Sequence, residues 1–360
     1  MERKSNVRIL VVGCGNMGAS HAMAYHREEG FEICGLVARG ESKERLNAQL
    51  GGGYARFDDY GAALEATRPD AVCISTYPDT HEAYAIMAME QGCHVFIEKP
   101  LADTLEGARR VAEAAERTGK KLVIGYILRY HPSWQRFVEL SGQLGKPLVM
   151  RMNLNQQSHG RMWDVHRNLM KSLSPIVDCG VHYIDVMCQM TGSRPVQVNA
   201  IGARLTPDIP AGNYNYGQLQ IRFEDGSVGW YEAGWGPMVS ETAFFVKDVF
   251  GPKGSISIVA KDAGAGGNSA NVSAHTKTES LRLHHAEVDG DNNFIKPDEW
   301  IDLADEPDHQ ELCNREQRFF LKAIRENLDL SVPTEQAISS LQVALACDES
   351  VRTGNPVYFQ

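Results

Sequence analysis

Val7-Arg8-Ile9-Leu10-Val11-Val12-Gly13-Cys14-Gly15-Asn16-Met17-Gly18 opens the chain, and its reading decides the fold. The residues up to Val12 form an apolar run of strand length, and the three glycines that follow are spaced Gly-x-Gly-x-x-Gly ahead of a helix beginning near Ala19. Strand, glycine loop and helix in this order make a phosphate turn. The first glycine bends the chain, the second lets backbone amides approach a pyrophosphate, and the third lets the helix pack on the strand. The helix N-terminus adds unpaired N–H donors for an anion. The same spacing also serves ordinary strand-to-helix turns, and its place straight after an N-terminal strand is what favours a dinucleotide. Gly13, Gly15, Asn16, Met17 and Gly18 are therefore candidate cofactor contacts.

Working outward, strands are expected at 31–37, 71–75, 94–97 and 122–126, with helices at 43–50, 82–91 and 104–118. Alternating β and α implies a parallel sheet with right-handed crossovers, an α/β Rossmann dinucleotide-binding domain over residues 1–126. Ligands of such sheets bind beyond the carboxyl ends of the strands, where Gly13, Thr76 and Lys99 fall. Past about residue 130 the strands become longer and of mixed polarity, at 149–155, 197–204, 216–223, 228–232 and 242–250, with one strong helix at 175–191. Residues 127–360 are expected to form a C-terminal α+β domain with a large open, mainly antiparallel sheet. An exposed loop tip is expected at 264–271, and amphipathic helices at 312–326 and 335–352. A sheet face left free by helices is usually covered by another subunit, so a homodimer or homotetramer through that face is expected.

Composition narrows the function classes. A chain of 360 residues with 43% hydrophobic and 23% charged content folds as globular domains, and no segment approaches a membrane span in apolar length. Residues 1–4 lead directly into the first strand without an apolar leader segment, so a cytoplasmic location is expected. The eight cysteines form no Cys-x-x-Cys pair, which indicates neither a disulfide framework nor a zinc site. A formal charge of -10 argues against nucleic-acid or anionic-membrane binding and leaves a small molecule as the expected partner. No metal is expected: the histidines, including His284-His285, lack a ligand spacing.

Two constellations carry chemistry. Glu98-Lys99-Pro100 ends the fourth strand and puts a lysine where a bound nicotinamide would be. Asp178-Cys179-Gly180-Val181-His182-Tyr183-Ile184-Asp185 places Asp178 and His182 four apart on one helical face. A histidine there can take a proton from a hydroxyl while the carboxylate orients its ring; the alternative is a buried histidine capped by a helix-start aspartate. Residues 155–167 are rich in hydrogen-bonding and aromatic groups and read as a sugar-facing wall. In that reading Trp163 and Trp235 stack on a ring while His159, Arg161 and His166 contact hydroxyls or an acidic substituent; otherwise each is surface or packing. Cys14 lies by a helix N-terminus but reads as an inert small residue.

Gly13-x-Gly15-x-x-Gly18, Thr76-x-x-x-x-His81, Glu98-Lys99-Pro100, Arg129-Tyr130 and Asp178-x-x-x-His182-x-x-Asp185, in this order, resemble the Gfo/Idh/MocA oxidoreductases, the family of glucose-fructose oxidoreductase and inositol 2-dehydrogenase. The resemblance implies NAD(P)-dependent oxidation of a secondary alcohol of a sugar, glycoside or cyclitol. It implies Lys99 against both nicotinamide and substrate hydroxyl, His182 as general base, Asp178 as its support, and Asp185 on a substrate hydroxyl. Thr76, His81, Glu98 and Pro100 join the cofactor set, and Tyr126 and Arg129 the substrate set. Two departures stand out. Many members read Thr-Pro where this chain has Thr76-Tyr77-Pro78, and Ala38 occupies the position where an acidic residue commonly holds the adenosine ribose. Arg39 next to it suits a 2'-phosphate, so the expectation leans to NADP(H), with dual specificity and a solvated loop arginine as the alternatives. Two other functions stay open: a tightly held cofactor serving transient sugar oxidation in elimination or hydrolysis, and a non-catalytic cofactor-binding regulator.

Overall fold

In the computed structural model the apolar run Val7–Val12 becomes β1, a central strand buried on both faces. The structure describes residues 5–241, 245–259, 268–271, 275–302 and 306–359. They fall into two units, Met1–Ile127 with Gln310–Ile338, and Leu128–His309 with Ser339–Gln360.

In the first unit, β1 is joined by β2 (Phe31–Val37), β3 (Arg56–Phe57), β4 (Ala71–Ile74), β5 (His94–Ile97) and β6 (Leu122–Ile124) in the order β3-β2-β1-β4-β5-β6. Every pairing is parallel. The order reverses between β1 and β4, the switch point at which a doubly wound sheet opens a ligand crevice. The connecting helices are α1 (Asn16–Arg27), α2 (Ser42–Gln49), α3 (Tyr60–Thr67), α4 (His81–Glu90) and α5 (Leu105–Thr118). β3 and α3 are additions to the sequence expectation: two residues carry no periodicity, and α3 is recognisable chiefly by its cap, Asp59 Oδ1 accepting from Ala62 N at 2.8 Å.

A single boundary at 126/127 does not describe the molecule, because Gln310–Ile338 returns to the first unit. The helix His309–Arg325 inserts Phe320 beside Phe31 and Phe96, with ring centroids 6.4 and 6.1 Å away. Such burial rests on partners some 220 or more positions away in sequence, which no local pattern reports.

The second unit holds a nine-stranded sheet in the order Glu299–Asp302, Ser280–His285, Gly254–Val259, Lys247–Gly251, Val149–Gln157, Val228–Gly236, Tyr216–Phe223, Pro195–Ala203, Val357–Tyr358. Val149–Gln157 and Val228–Gly236 run parallel; the other neighbours are antiparallel. Of the strand expected at 242–250, residues 242–244 lie outside the described ones, as do 264–267 of the expected loop tip. Along Val149–Gln157, Met150, Met152 and Leu154 point into the core while Arg151 faces away and pairs with Asp248. Among the helices of this unit are α6 (Pro132–Ser141), α7 (Gly160–Leu169) and α8 (Val181–Thr191). The approach of α8 to the sheet is set by small residues. A Cβ on Gly180 would lie 2.8 Å from the Tyr231 ring and one on Gly229 2.6 Å from Met187 Sδ, while Tyr183 stacks on Tyr231 at 4.9 Å. Among the described residues no helix is long and apolar enough to cross a membrane.

Candidate active site

The glycine turn is built as a close approach of backbone to backbone. Gly13 has φ +92° and donates its N–H to Val37 O at 2.9 Å. A Cβ on Gly13 would sit 2.3 Å from Ser75 O, and one on Gly18 1.8 Å from Gly13 O, so neither position admits a side chain. Gly15 is different: it is exposed, a Cβ there meets nothing within 4 Å, and no side chain caps the helix it opens. The first amides of α1, at Asn16, Met17 and Gly18, are left for an anion, and a pyrophosphate fits this edge. Cys14 is buried beside it, and burial pushes its thiol up to about 11, an inert group. Ala38 follows β2 and donates to Phe57 O; Arg39 is exposed. Nearby, Lys43 Nζ donates to Gly40 O and Asp58 Oδ1, both at 2.7 Å.

At the carboxyl end of β5, Glu98 N donates to Ile74 O, and the side chain turns into the unit. Glu98 Oε1 lies 2.7 Å from His21 Nε2, and Oε2 accepts from Lys99 N at 3.2 Å. Lys99 is half-buried. Pro100 O lies 2.8 Å from His81 Nδ1, while His81 Nε2 lies 3.2 Å from Thr76 O. The His81 ring is fully buried between carbonyls of the loops after β4 and β5, and desolvation holds its pKa below the ordinary histidine value, so the neutral ring donates to one of them at a time. Thr76 Oγ1 is engaged with Thr80 Oγ1 at 2.6 Å. Tyr126, expected among the substrate contacts, is only 2% exposed and donates its hydroxyl to Ala337 O.

In the second unit the helix expected over 175–191 is not uniform. Ile176–Gly180 forms a π turn carrying Asp178, and α8 begins only at Val181. Asp178 accepts from Cys179 Sγ–H at 3.5 Å, and both Asp178 and His182 are half-buried. Asp185 is 1% exposed and accepts four hydrogen bonds: Arg129 Nε at 2.8 Å and Gln189 Nε2 at 2.8 Å on Oδ2, Arg129 Nη2 at 2.5 Å and Ser340 Oγ at 3.3 Å on Oδ1. Four donors fill the accepting capacity of a carboxylate, so the outward group of this cluster is Arg129, its side chain 15% exposed.

Residues 155–167 divide between a strand and a helix. The strand runs on to Gln157, and α7 occupies Gly160–Leu169, leaving His159 and Arg161 exposed and turning Trp163 and His166 inward. Trp235 is 0% exposed, stacks on the His166 ring at 4.2 Å, and forms a core cluster with Trp163, Met170 and Ile209. Both tryptophan rings are packed against protein, because the strand expected to stop at 232 continues to Gly236 and buries Trp235.

Residues 7–126 match the model of the Gfo/Idh/MocA oxidoreductase family with an NAD-binding Rossmann fold, and residues 136–257 match the Gfo/Idh/MocA C-terminal domain. The chain belongs to the Gfo/Idh/MocA family. As a Gfo/Idh/MocA member it is an oxidoreductase with an NAD-binding domain. It is 25% identical to a D-glucoside 3-dehydrogenase of Escherichia coli over 81% of this chain and 86% of the relative. It is 31% identical to an inositol 2-dehydrogenase of Saccharopolyspora erythraea over 57% of this chain, spanning 60% of that relative's length. Among solved structures, scyllo-inositol dehydrogenase of Lactobacillus casei, with bound NAD(H) and scyllo-inositol, superposes with a TM-score of 0.76 over 98% of this chain and 99% of that one. At 20% identity that likeness establishes the fold.

Several residues of this Gfo/Idh/MocA chain escaped sequence reasoning. Gln189 had a signal, lying one turn beyond Asp185 on α8. His21 lies on the face of α1 that packs inward, but its partner Gln317 and the Asp185 partner Ser340 come from C-terminal helices with no local cue. His21, Cys313 and Glu316 bring one ligand atom each within 4.8 Å of one another. Both nitrogens of His21 are already engaged, by Glu98 and Gln317, so a metal ion there would have to displace one of them.

Proposed function

We propose that this chain oxidises a secondary alcohol of a sugar, glycoside or cyclitol with NAD(P), using Lys99, Asp178 and His182 as acid–base groups. The observation that carries the reading is the mooring of Lys99: it leaves the carboxyl end of β5 tied through Glu98, in the same unit whose glycine turn fits a dinucleotide. The names of relatives that act on glucosides and inositols support the substrate class. When bound, the nicotinamide supplies the hydride acceptor. His182 takes the hydroxyl proton, Asp178 orients the imidazole and stabilises its charged form, and the Lys99 ammonium stabilises developing alkoxide character. Arg129, fixed by Asp185, presents N–H donors to substrate oxygens. Mixing the protein with NAD+ or NADP+ and a panel of inositols, aldoses, uronates and glycosides should give rising reduced-nicotinamide absorbance with at least one substrate. Silence across the panel with cofactor retained through gel filtration would transfer the reading to a held cofactor or a cofactor-binding regulator.

On cofactor choice we propose a lean to NADP. Ala38 offers no carboxylate to the ribose, Asp58 is paired with Lys43, and Arg39 is exposed at the end of β2. Arg39→Ala is expected to raise KM for NADP+ about tenfold, one charged hydrogen bond's worth, with KM for NAD+ unchanged. An unchanged KM for NADP+ would end this reading.

We also propose a homodimer or homotetramer through the sheet face that carries Arg151, Asp248 and Glu232, where Glu232 gathers Asn153, Asn155 and Tyr216. Light scattering should report a multiple of the 39.8 kDa chain mass; a single-chain mass would sink the idea.

A further inference from the structure

We propose that His21, locked in one tautomer by Gln317, is a positioning residue that sets where Lys99 stands; this rests on the reading of Lys99 as an acid–base group. The lock begins at Tyr25. Its phenol is buried, and the hydroxyl donates to Gln317 Oε1 at 2.6 Å. The amide of Gln317 then has its N–H side toward His21, with Nε2 2.9 Å from Nδ1. Nδ1 therefore accepts, the ring proton sits on Nε2, and Nε2 donates to Glu98 Oε1 at 2.7 Å. Glu98 Oε2 in turn accepts from the Lys99 amide. The sequence Tyr25, Gln317, His21, Glu98 runs in one direction, and every member is buried.

The neighbourhood favours this order. Glu316 is buried nearby with both carboxyl oxygens unpartnered among the described residues, and burial, then the charge of Glu98, push its pKa well above the carboxylate range. A neutral Glu316 does not compete with Glu98 for the His21 proton. On the far side of Lys99, Pro100 O is held by His81. The residue is thus pinned at its own amide and at the following carbonyl, from two buried histidines on two different helices, α1 and α4. A lysine rooted this way starts its four-carbon stem from a fixed Cα and Cβ, which narrows the positions its ammonium can reach.

His21→Leu removes the donor with little change of volume, and His21→Gln returns an N–H near the Nε2 position. In cofactor-free protein, hydrogen–deuterium exchange at the Lys99 amide should accelerate by at least about tenfold in His21→Leu and stay near the parent in His21→Gln. In the loaded enzyme His21→Leu should lower kcat by about 10- to 100-fold, with KM for the cofactor shifted no more than about twofold, and His21→Gln should recover most of the loss. If His21→Leu fails to fold, Gln317→Met, which frees the tautomer, should show the same faster exchange. Unchanged Lys99 exchange in the folded variant, or a His21→Gln as impaired as His21→Leu, would overturn the proposal. A parent enzyme without turnover would end the dehydrogenase reading instead, because exchange at Lys99 decides the positioning role without activity.

Discussion

Lys99→Met is expected to lower kcat by about three orders of magnitude on any alcohol the parent enzyme oxidises, with the protein still folded and still able to bind its dinucleotide. Methionine keeps the length and apolar stem of lysine and removes only the charge and the donors. Stabilising a developing alkoxide is worth about 10² to 10³ in rate, and a positioned proton-transfer group about 10² to 10⁴, so removing a residue that shares both roles falls in this range. The main-chain ties of the segment, Glu98 to the Lys99 amide and His81 to Pro100 O, do not involve the ammonium, which is why stability should change little. Steady-state rates with the best substrate from the panel, alongside cofactor binding followed by fluorescence, check both halves. A Lys99→Met enzyme as active as its parent would sink the catalytic reading of this residue.

The second large effect is on stability. Asp185→Ala is expected to destabilise the protein by about 3–5 kcal/mol, the cost of leaving a buried charge without its partner. Asp185 holds Arg129 through two hydrogen bonds and also accepts from Gln189 and Ser340, so its removal takes four hydrogen bonds and the opposite charge from this cluster. Replacing both partners, Asp185→Leu with Arg129→Met, should recover much of the loss, because an apolar pair leaves no uncompensated charge. Urea unfolding of the parent, the two single variants and the double variant gives the coupling. A stable Asp185→Ala whose only defect is a raised substrate KM would instead make Asp185 a direct ligand of the substrate.

Legibility in the sequence followed the range of the interaction. The glycine turn, the strands it connects and the order of motifs through Asp185 were readable because strand periodicity and glycine spacing act over a few residues. Composition alone did not show which side chains of 155–167 turn inward: at the short helix there, His159 and Arg161 are exposed while Trp163 and His166 are buried. The same reading stopped one strand at 232, although the ladder continues through Gly234, Trp235 and Gly236 and Trp235 is buried there.

By itself, then, the sequence determined the doubly wound dinucleotide unit, the presence of a second sheet and the candidates Lys99, Asp178 and His182. The unit and the sheet rest on residue chemistry and short-range spacing, and the three candidates on the resemblance of their motifs to the family's. Only the tertiary structure decided that Asp185 is met by Arg129 and Ser340, that Gln310–Ile338 returns to the first unit, and that His21 stands beneath Glu98 with Gln317 behind it. The physical reason is common to the three: each depends on a hydrogen bond or a buried ring supplied from some 56 to 300 positions away, and local periodicity carries no record of what lies across a packed interface.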